Sequence, residues 1–351
     1  MSTDAAPGPV LVVGPSWVGD MVMAQTLFKL LTQRAGVVAI DVLAPDWAAP
    51  VLQRMPEIRN TIPMPIGHGK LQLRQRWRIG RQLRGARYRQ AILLPNSLKS
   101  ALIPWFAGIP RRTGWLGEAR YLLLNDWRKL RPERYPLMVQ RFAALAYEKH
   151  TPLPSELPRP ALHIDADNQQ RLCLELGLAA ERPMLGLCPG AEFGPAKQWP
   201  VGHYASVAVH YLQRGWQVLL LGSAKDQDVA IAIREAVPDQ YREHCVSAAG
   251  RTQLIDAIDL LGLCRCVVSN DSGLMHVAAA VNAPLVAVYG STSPDFTPPL
   301  SGRVAVVQRE LSCRPCFERE CPLQHLDCLV KLTPDRVIAA LQGVLSSNPG
   351  G

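Results

Sequence analysis

The stretch from Cys264 to Ala280 changes its periodicity at a single turn. Cys264 to Ser269 is a short apolar run of the length and character of a buried strand. Asn270-Asp271-Ser272-Gly273 interrupts it, and Leu274, Val277, Ala278 and Val281 then recur at helical spacing. Asp271 or Ser272 stands where a helix N-cap belongs, and Gly273 lets the backbone approach a ligand closely. A strand feeding a tight turn and a helix mouth aims free N–H groups and a positive dipole end at one point, which suits a diphosphate. His276 falls one turn into that helix and reads as a residue on the side of its mouth. An ordinary capped helix with a surface histidine has the same pattern.

The alternation recurs along the chain. Val10–Gly14 reads as a strand, Gly14–Gly19 as a turn and Asp20–Arg34 as an amphipathic helix. This opening is neither a Walker loop, since Asp20-Met21 stands where Lys-Ser/Thr belongs, nor a dinucleotide fingerprint, since its glycines are wrongly spaced. Strands are expected at 37–44, 60–64 and 90–95, with helices at 46–54, 71–86 and 98–107. Prolines 152, 154, 158 and 160 mark a boundary, after which the pattern restarts. Strands are expected at 184–188, 216–221, 244–248 and 284–289, with helices at 201–213, 226–236 and 252–262 and a last one opening at Thr333-Pro334-Asp335. With 351 residues, the reading is α/β, two doubly wound domains covering 1–160 and 161–351.

A composition of 48% hydrophobic and 19% charged residues excludes a disordered chain, and no apolar run reaches membrane-span length. Met1–Pro9 has neither a basic region nor a signal-like apolar stretch, so a cytoplasmic chain is expected. The net charge of +9 is concentrated: Lys70 to Arg89 is crowded with arginines, and Arg111, Arg112, Arg120, Arg128, Lys129, Arg131 and Arg134 follow. This points to an anionic partner, although a solvated helix face is the expectation for most of these arginines. Aromatics are not interleaved as a stacking platform, which argues against nucleic acid.

Open α/β sheets bind ligands beyond the carboxyl ends of their strands. Four such loops are expected: Gly14–Asp20, Pro189–Pro200, Gly222–Asp228 and Asn270–His276. Asp20 is the only acid of the first; it either accepts a proton from a substrate hydroxyl or caps the helix after it. Lys197 is the only cation of a loop stiffened by two Gly and three Pro, and suits a phosphate oxygen better than it suits idleness. Asp226-Gln227-Asp228 matches an acid-x-acid metal pattern but reads better as a helix start. Cys313-x2-Cys316-x4-Cys321-x6-Cys328 leaves Zn²⁺ binding, free thiols and a local disulfide open.

Three motifs in order, Gly14-Pro15-Ser16-Trp17-Val18-Gly19-Asp20-Met21, Pro189–Pro200 and Ser269–His276, resemble the ADP-heptose:lipopolysaccharide heptosyltransferases of glycosyltransferase family 9. Leu94–Ala101, Arg112–Trp115 and the cysteine cluster are also similar to that family, so the resemblance spans nearly the whole chain. It implies a GT-B fold with the active site in the cleft between two Rossmann-like domains, the N-terminal one for acceptor and the C-terminal one for ADP-heptose. It implies inverting transfer of L-glycero-D-manno-heptose to the first heptose of heptosyl-Kdo2-lipid A, in the cytoplasm at the inner membrane surface. By the resemblance Asp20 is the catalytic base, Lys197 attends the diphosphate, and Asp271, Ser272, Gly273, Leu274 and His276 surround the diphosphate and donor sugar. Ala191, Glu192, Gly222 and Ser223 complete the expected donor contacts; Asn96, Lys99 and Arg112 are the expected acceptor contacts. Helix N-termini and one lysine can neutralise the leaving group, so no metal or cofactor is expected. Two alternatives stand beside this: a GT-B enzyme for another nucleotide sugar, and a non-catalytic sugar-nucleotide binder, which would need no acid at position 20.

Overall fold

The computed structural model describes residues 7–67, 69–179 and 181–346. The leader reading falls mainly on residues 1–6, which lie outside the described residues. The chain forms two compact units, one ending at Pro160 and the other beginning at Ala161.

The first unit holds β1 (Gly8–Val13), β2 (Val37–Ala44), β3 (Asn60–Pro63), β4 (Gln90–Leu93), β5 (Arg111–Trp115) and β6 (Asp126–Arg128). They form one sheet in the order β3-β2-β1-β4-β5-β6, and every neighbouring pair is parallel. Central strands are apolar because both faces are covered: Leu11, Val13, Leu43, Ala91 and Leu93 lie in one core with Ile103. The helix Val18–Thr32 buries Met21, Met23, Leu27, Phe28 and Leu31. The sequence reading placed β1 to β4 but not β5 and β6. Those two strands, of which β6 is the sheet edge, carry Arg111, Arg112, Asp126 and Arg128, so no apolar run marks them.

The second unit repeats the plan with β7 (Met184–Cys188), β8 (Gln217–Leu220), β9 (Cys245–Ser247), β10 (Cys266–Asn270), β11 (Leu285–Val288) and β12 (Val304–Val307). Its order is β12-β11-β10-β7-β8-β9, again wholly parallel. Within each unit the strand order reverses between the first and fourth strands, β1 and β4 or β7 and β10. Such switch points open a crevice at the carboxyl edge of the sheet. Among the described residues no helix is long and apolar enough to cross a membrane.

The basic half is partly internal. Arg120 is 1% exposed and donates to the carbonyls of Pro95, Ser97 and Trp115. Arg111 forks onto Asp126 and Glu148, and Arg128 donates to Ala144 O and Tyr147 O. These arginines hold the polar outer strands together.

Asp41, buried in β2, accepts two bonds from Arg59 (3.0 and 2.6 Å), one from Asn60 (3.2 Å) and one from the Tyr88 hydroxyl (2.6 Å). Burial alone would raise its pKa, but the bonds from Arg59 and Tyr88 outweigh burial and hold it below 3.8. A carboxyl with a depressed folded pKa stabilises at neutral pH, and that stability is lost as pH falls through the folded value. Asp41→Asn should therefore lower unfolding free energy at pH 7 by about 2 kcal/mol and lose less further stability than the parent between pH 5 and pH 3. Urea melts at the two pH values read both effects.

Candidate functional site

The second unit's switch point gathers the loops after β7 and β10. The loop 189–200 is fixed at both ends by one buried amide. Asn270 Nδ2 donates to Pro189 O at 2.7 Å, and its Oδ1 accepts from Trp199 N at 3.1 Å and from the Tyr204 hydroxyl at 2.9 Å. Trp199 is fully buried and donates its indole N–H to Leu332 O, anchoring the loop's far end. Gly194 (φ 155°) would put a Cβ 2.5 Å from Arg319 O, a close approach that only glycine permits.

Between these anchors Lys197 reaches Asp271, with Nζ 2.6 Å from Oδ2. The same oxygen accepts from Thr292 Oγ1 at 2.6 Å. Lys197 also lies 4.9 Å from the centre of the Phe193 ring. A lysine has three N–H donors, so the bond to Asp271 leaves two for a phosphate oxygen. Ser272 occupies the N-cap position of the helix Gly273–Ala280 in extended conformation, and its side chain makes no capping bond. The expected side-chain cap is thus absent: Asp271 turns to Lys197 and Thr292 instead. Its first amides have no side chain bonded over them.

His276 rules out the surface-histidine alternative. It is not on the surface but 6% exposed, inside the unit. Burial pulls its pKa down to about 4; Asp271 pushes it up and Lys197 adds to the lowering. The imidazole is therefore neutral at physiological pH. It offers hydrogen-bond chemistry rather than charge.

On the other flank, Asp226 Oδ2 accepts from both the backbone N and the hydroxyl of Ser223, each at 2.8 Å. Its side chain lies against both glycines: a Cβ on Gly190 would stand 2.7 Å from the carboxylate, and one on Gly222 2.7 Å from the Asp226 Cβ. Asp226 thus closes a turn, as the helix-start reading has it, and the helix Gln227–Glu235 follows. Glu192 pairs with Lys225 in an exposed ion pair that ties the same two loops weakly. Ala191, Gly222 and Ser223 all border this junction; Gly273 and Leu274 open the helix beyond Ser272.

In the first unit, the loop after β1 leads straight into the helix Val18–Thr32, whose N-cap is Trp17. Asp20 is therefore no N-cap but a first-turn acid, half-buried, where the helix dipole favours negative charge. Asn96 and Lys99 follow β4, at that unit's switch point. Arg112 Nε donates to Leu123 O at 2.7 Å and Nη1 to Ile109 O at 2.6 Å, two of the guanidinium's five N–H donors.

Sequence reasoning missed a fifth carboxyl-edge loop, the one after β11, and with it Thr292. The apolar run 284–289 ended by Gly290-Ser291-Thr292-Ser293-Pro294 was the available signal. Arg314 holds that loop, donating to Gly290 O and to Thr292 O. Ser291 N donates to Ala196 O at 3.2 Å, joining it to the lysine loop. Among the described residues no group of three His, Cys, Asp or Glu is placed to hold a metal ion, and Cys313, Cys316, Cys321 and Cys328 are free thiols.

Two doubly wound units, each with a switch point at the carboxyl edge of its parallel sheet, are the architecture of a GT-B glycosyltransferase. A model of glycosyltransferase family 9 (heptosyltransferase) matches residues 76–327, and the chain belongs to that family and is an enzyme. It is 48% identical over 341 residues to lipopolysaccharide heptosyltransferase 2 of Escherichia coli strain K12, covering 96% of this chain and 98% of the relative. It is 50% identical over 306 residues to lipooligosaccharide heptosyltransferase 2 of Haemophilus influenzae, covering 85% and 88%. The solved E. coli ADP-heptose lps heptosyltransferase II superposes with a TM-score of 0.87 at 46% identity, covering 97% of this chain and 100% of that one.

His276 provides a test within this site. Its folded pKa of about 4 lies below the unfolded value of 6.5, so between the two the unfolded chain binds the extra proton. Stability is full above pH 6.5 and falls as pH drops toward 4, by on the order of 3 kcal/mol. His276→Gln should remove much of that slope, seen as a Tm less sensitive to pH across this window.

Proposed function

We propose that the chain transfers L-glycero-D-manno-heptose from ADP-heptose, with inversion, to the first heptose of heptosyl-Kdo2-lipid A, a step of lipopolysaccharide inner-core synthesis. The relatives named above support heptose transfer and an ADP-heptose donor. The second unit is the donor unit and the first the acceptor unit. The observation that carries the reading is the Lys197–Asp271–Thr292 network beside the mouth of the helix Gly273–Ala280. A fixed ammonium next to free amides is what a departing diphosphate needs.

Inversion is a single in-line displacement. The acceptor hydroxyl loses its proton to Asp20 as its oxygen attacks the anomeric carbon, and the bond to the diphosphate oxygen breaks. Lys197 and the amides at 272–274 stabilise the charge that develops on ADP. Asp271 and Thr292 set the position of the ammonium, and Ala191, Glu192, Gly222, Ser223 and His276 border the donor. Asn96, Lys99 and Arg112 contact the acceptor. The acceptor is lipid-anchored, so the enzyme works as a peripheral protein on the cytoplasmic face of the inner membrane.

The test is ADP release on incubation with ADP-heptose and heptosyl-Kdo2-lipid A, with UDP- and GDP-sugars as controls. Asp20→Ala should fold and bind ADP-heptose normally but lose at least about 100-fold in kcat; normal turnover would remove Asp20 from the mechanism. Lys197→Ala should weaken transition-state binding by about 1.5–3 kcal/mol, read as kcat/KM for ADP-heptose. Unchanged donor kinetics would show that the lysine acts elsewhere.

A further inference from the structure

The charge of the first unit is distributed in a way the transfer reaction does not use. Between Glu57 and Glu118 there is no Asp or Glu, while the same segment carries 12 Lys and Arg. Some of these are internal: Arg76 is buried and donates to Leu71 O, Lys99 O and Lys70 O. Those on the outer side of the helix Leu73–Leu83 are not. Arg74, Arg78 and Arg81 are exposed, and no acid in the segment is available to neutralise them.

The same helix exposes apolar bulk. Leu73 and Trp77, one turn apart, are 50% and 48% exposed. The Arg81 guanidinium lies 5.3 Å from the centre of the Trp77 ring. The neighbouring helix Leu98–Phe106 runs alongside: Gly80 would put a Cβ 2.5 Å from Phe106 Cβ, and Arg84 Nε donates to Phe106 O at 3.0 Å. It exposes Leu98 (39%) and Trp105 (48%). Exposed tryptophans and leucines on paired helices, bordered by unneutralised arginines, are the composition of a surface that lies in a membrane interface. Indole rings sit at headgroup depth, and each cation near an anionic leaflet adds to the attraction.

We propose that the helices Leu73–Leu83 and Leu98–Phe106 are the membrane-docking surface of this chain, seating in the headgroup layer of an anionic phospholipid bilayer. The proposal rests on the reading of a lipid-anchored acceptor and names how the enzyme reaches it. Leu73, Trp77, Leu98 and Trp105 enter the interface, and Arg74, Arg78 and Arg81 pair with lipid phosphates. Asn96 and Lys99, just before or within the second helix, are then carried to the bilayer surface where the acceptor's sugars emerge.

The experiment uses the full chain and large vesicles of phosphatidylcholine alone or with phosphatidylglycerol, scored by co-sedimentation. Binding is expected on the anionic vesicles, weakening steeply with salt, and weak on the neutral ones. Trp77→Ser with Trp105→Ser, and separately Arg74→Glu with Arg78→Glu and Arg81→Glu, should each weaken vesicle binding at least tenfold. Both variants should retain the parent's turnover on a deacylated, water-soluble acceptor, which shows that they are folded. Vesicle binding unchanged in both variants would overturn the proposal, as would equal binding to neutral vesicles. Retention on an oligonucleotide in preference to anionic vesicles would overturn it in favour of nucleic acid. Vesicle binding that behaves as expected, with no ADP release from the soluble acceptor by the parent, would uphold the docking surface and count against the transfer reaction.

Discussion

The second unit's site depends on one buried carboxamide. Asn270 stands at the end of β10, with no exposed surface, and both ends of its amide are used. Its donor holds the start of the loop 189–200 and its acceptor holds the finish, so a twelve-residue excursion is pinned at two points by one side chain. A buried amide left unsatisfied costs about 1–3 kcal/mol per lost bond, so the loop and the strand end specify each other. Lys197 can meet Asp271 only because the loop that carries it has no freedom at its roots.

The remaining contacts extend the same logic. The loop after β11 is braced by Arg314 and touches the lysine loop through Ser291 and Ala196. It delivers Thr292 to the second lone pair of an oxygen already held by Lys197. Three loops from three adjacent strands thus converge on one carboxylate. The parallel order β7-β10-β11 is what makes their carboxyl ends neighbours. The fold supplies the proximity, and the polar side chains supply the register.

The two-unit α/β plan and most central strands were legible because parallel strands covered on both faces must be apolar. The outer strands β5 and β6 were not. Their stability comes from Arg111, Thr113, Asp126, Arg128 and Glu148 bonding to one another, and a charge ladder has no apolar signature. The helix expected from Leu71 begins at Leu73 because Gln72 takes a left-handed conformation (φ 41°), which the composition does not announce. At the site, the motif reading brought Lys197 and Asp271 into view, but not that they bond to each other. That depends on a tertiary contact spanning 74 positions. The burial of His276 was not legible, because the surface alternative and the helix-mouth reading share one sequence pattern. Thr292 went unseen because a single hydroxyl in a Ser/Thr-rich turn looks like solvent-facing loop.

The saturation of Asp271 has a consequence for how the site handles charge. Its Oδ2 already accepts from an ammonium and a hydroxyl, so a divalent cation seeking that oxygen would have to expel Lys197 and leave Thr292 without an acceptor. The ammonium keeps two further N–H donors while it holds the carboxylate, so an anion can be met there without breaking the pair. The counter-ion of Asp271 is built into the chain, carried by a neighbouring loop rather than drawn from solution.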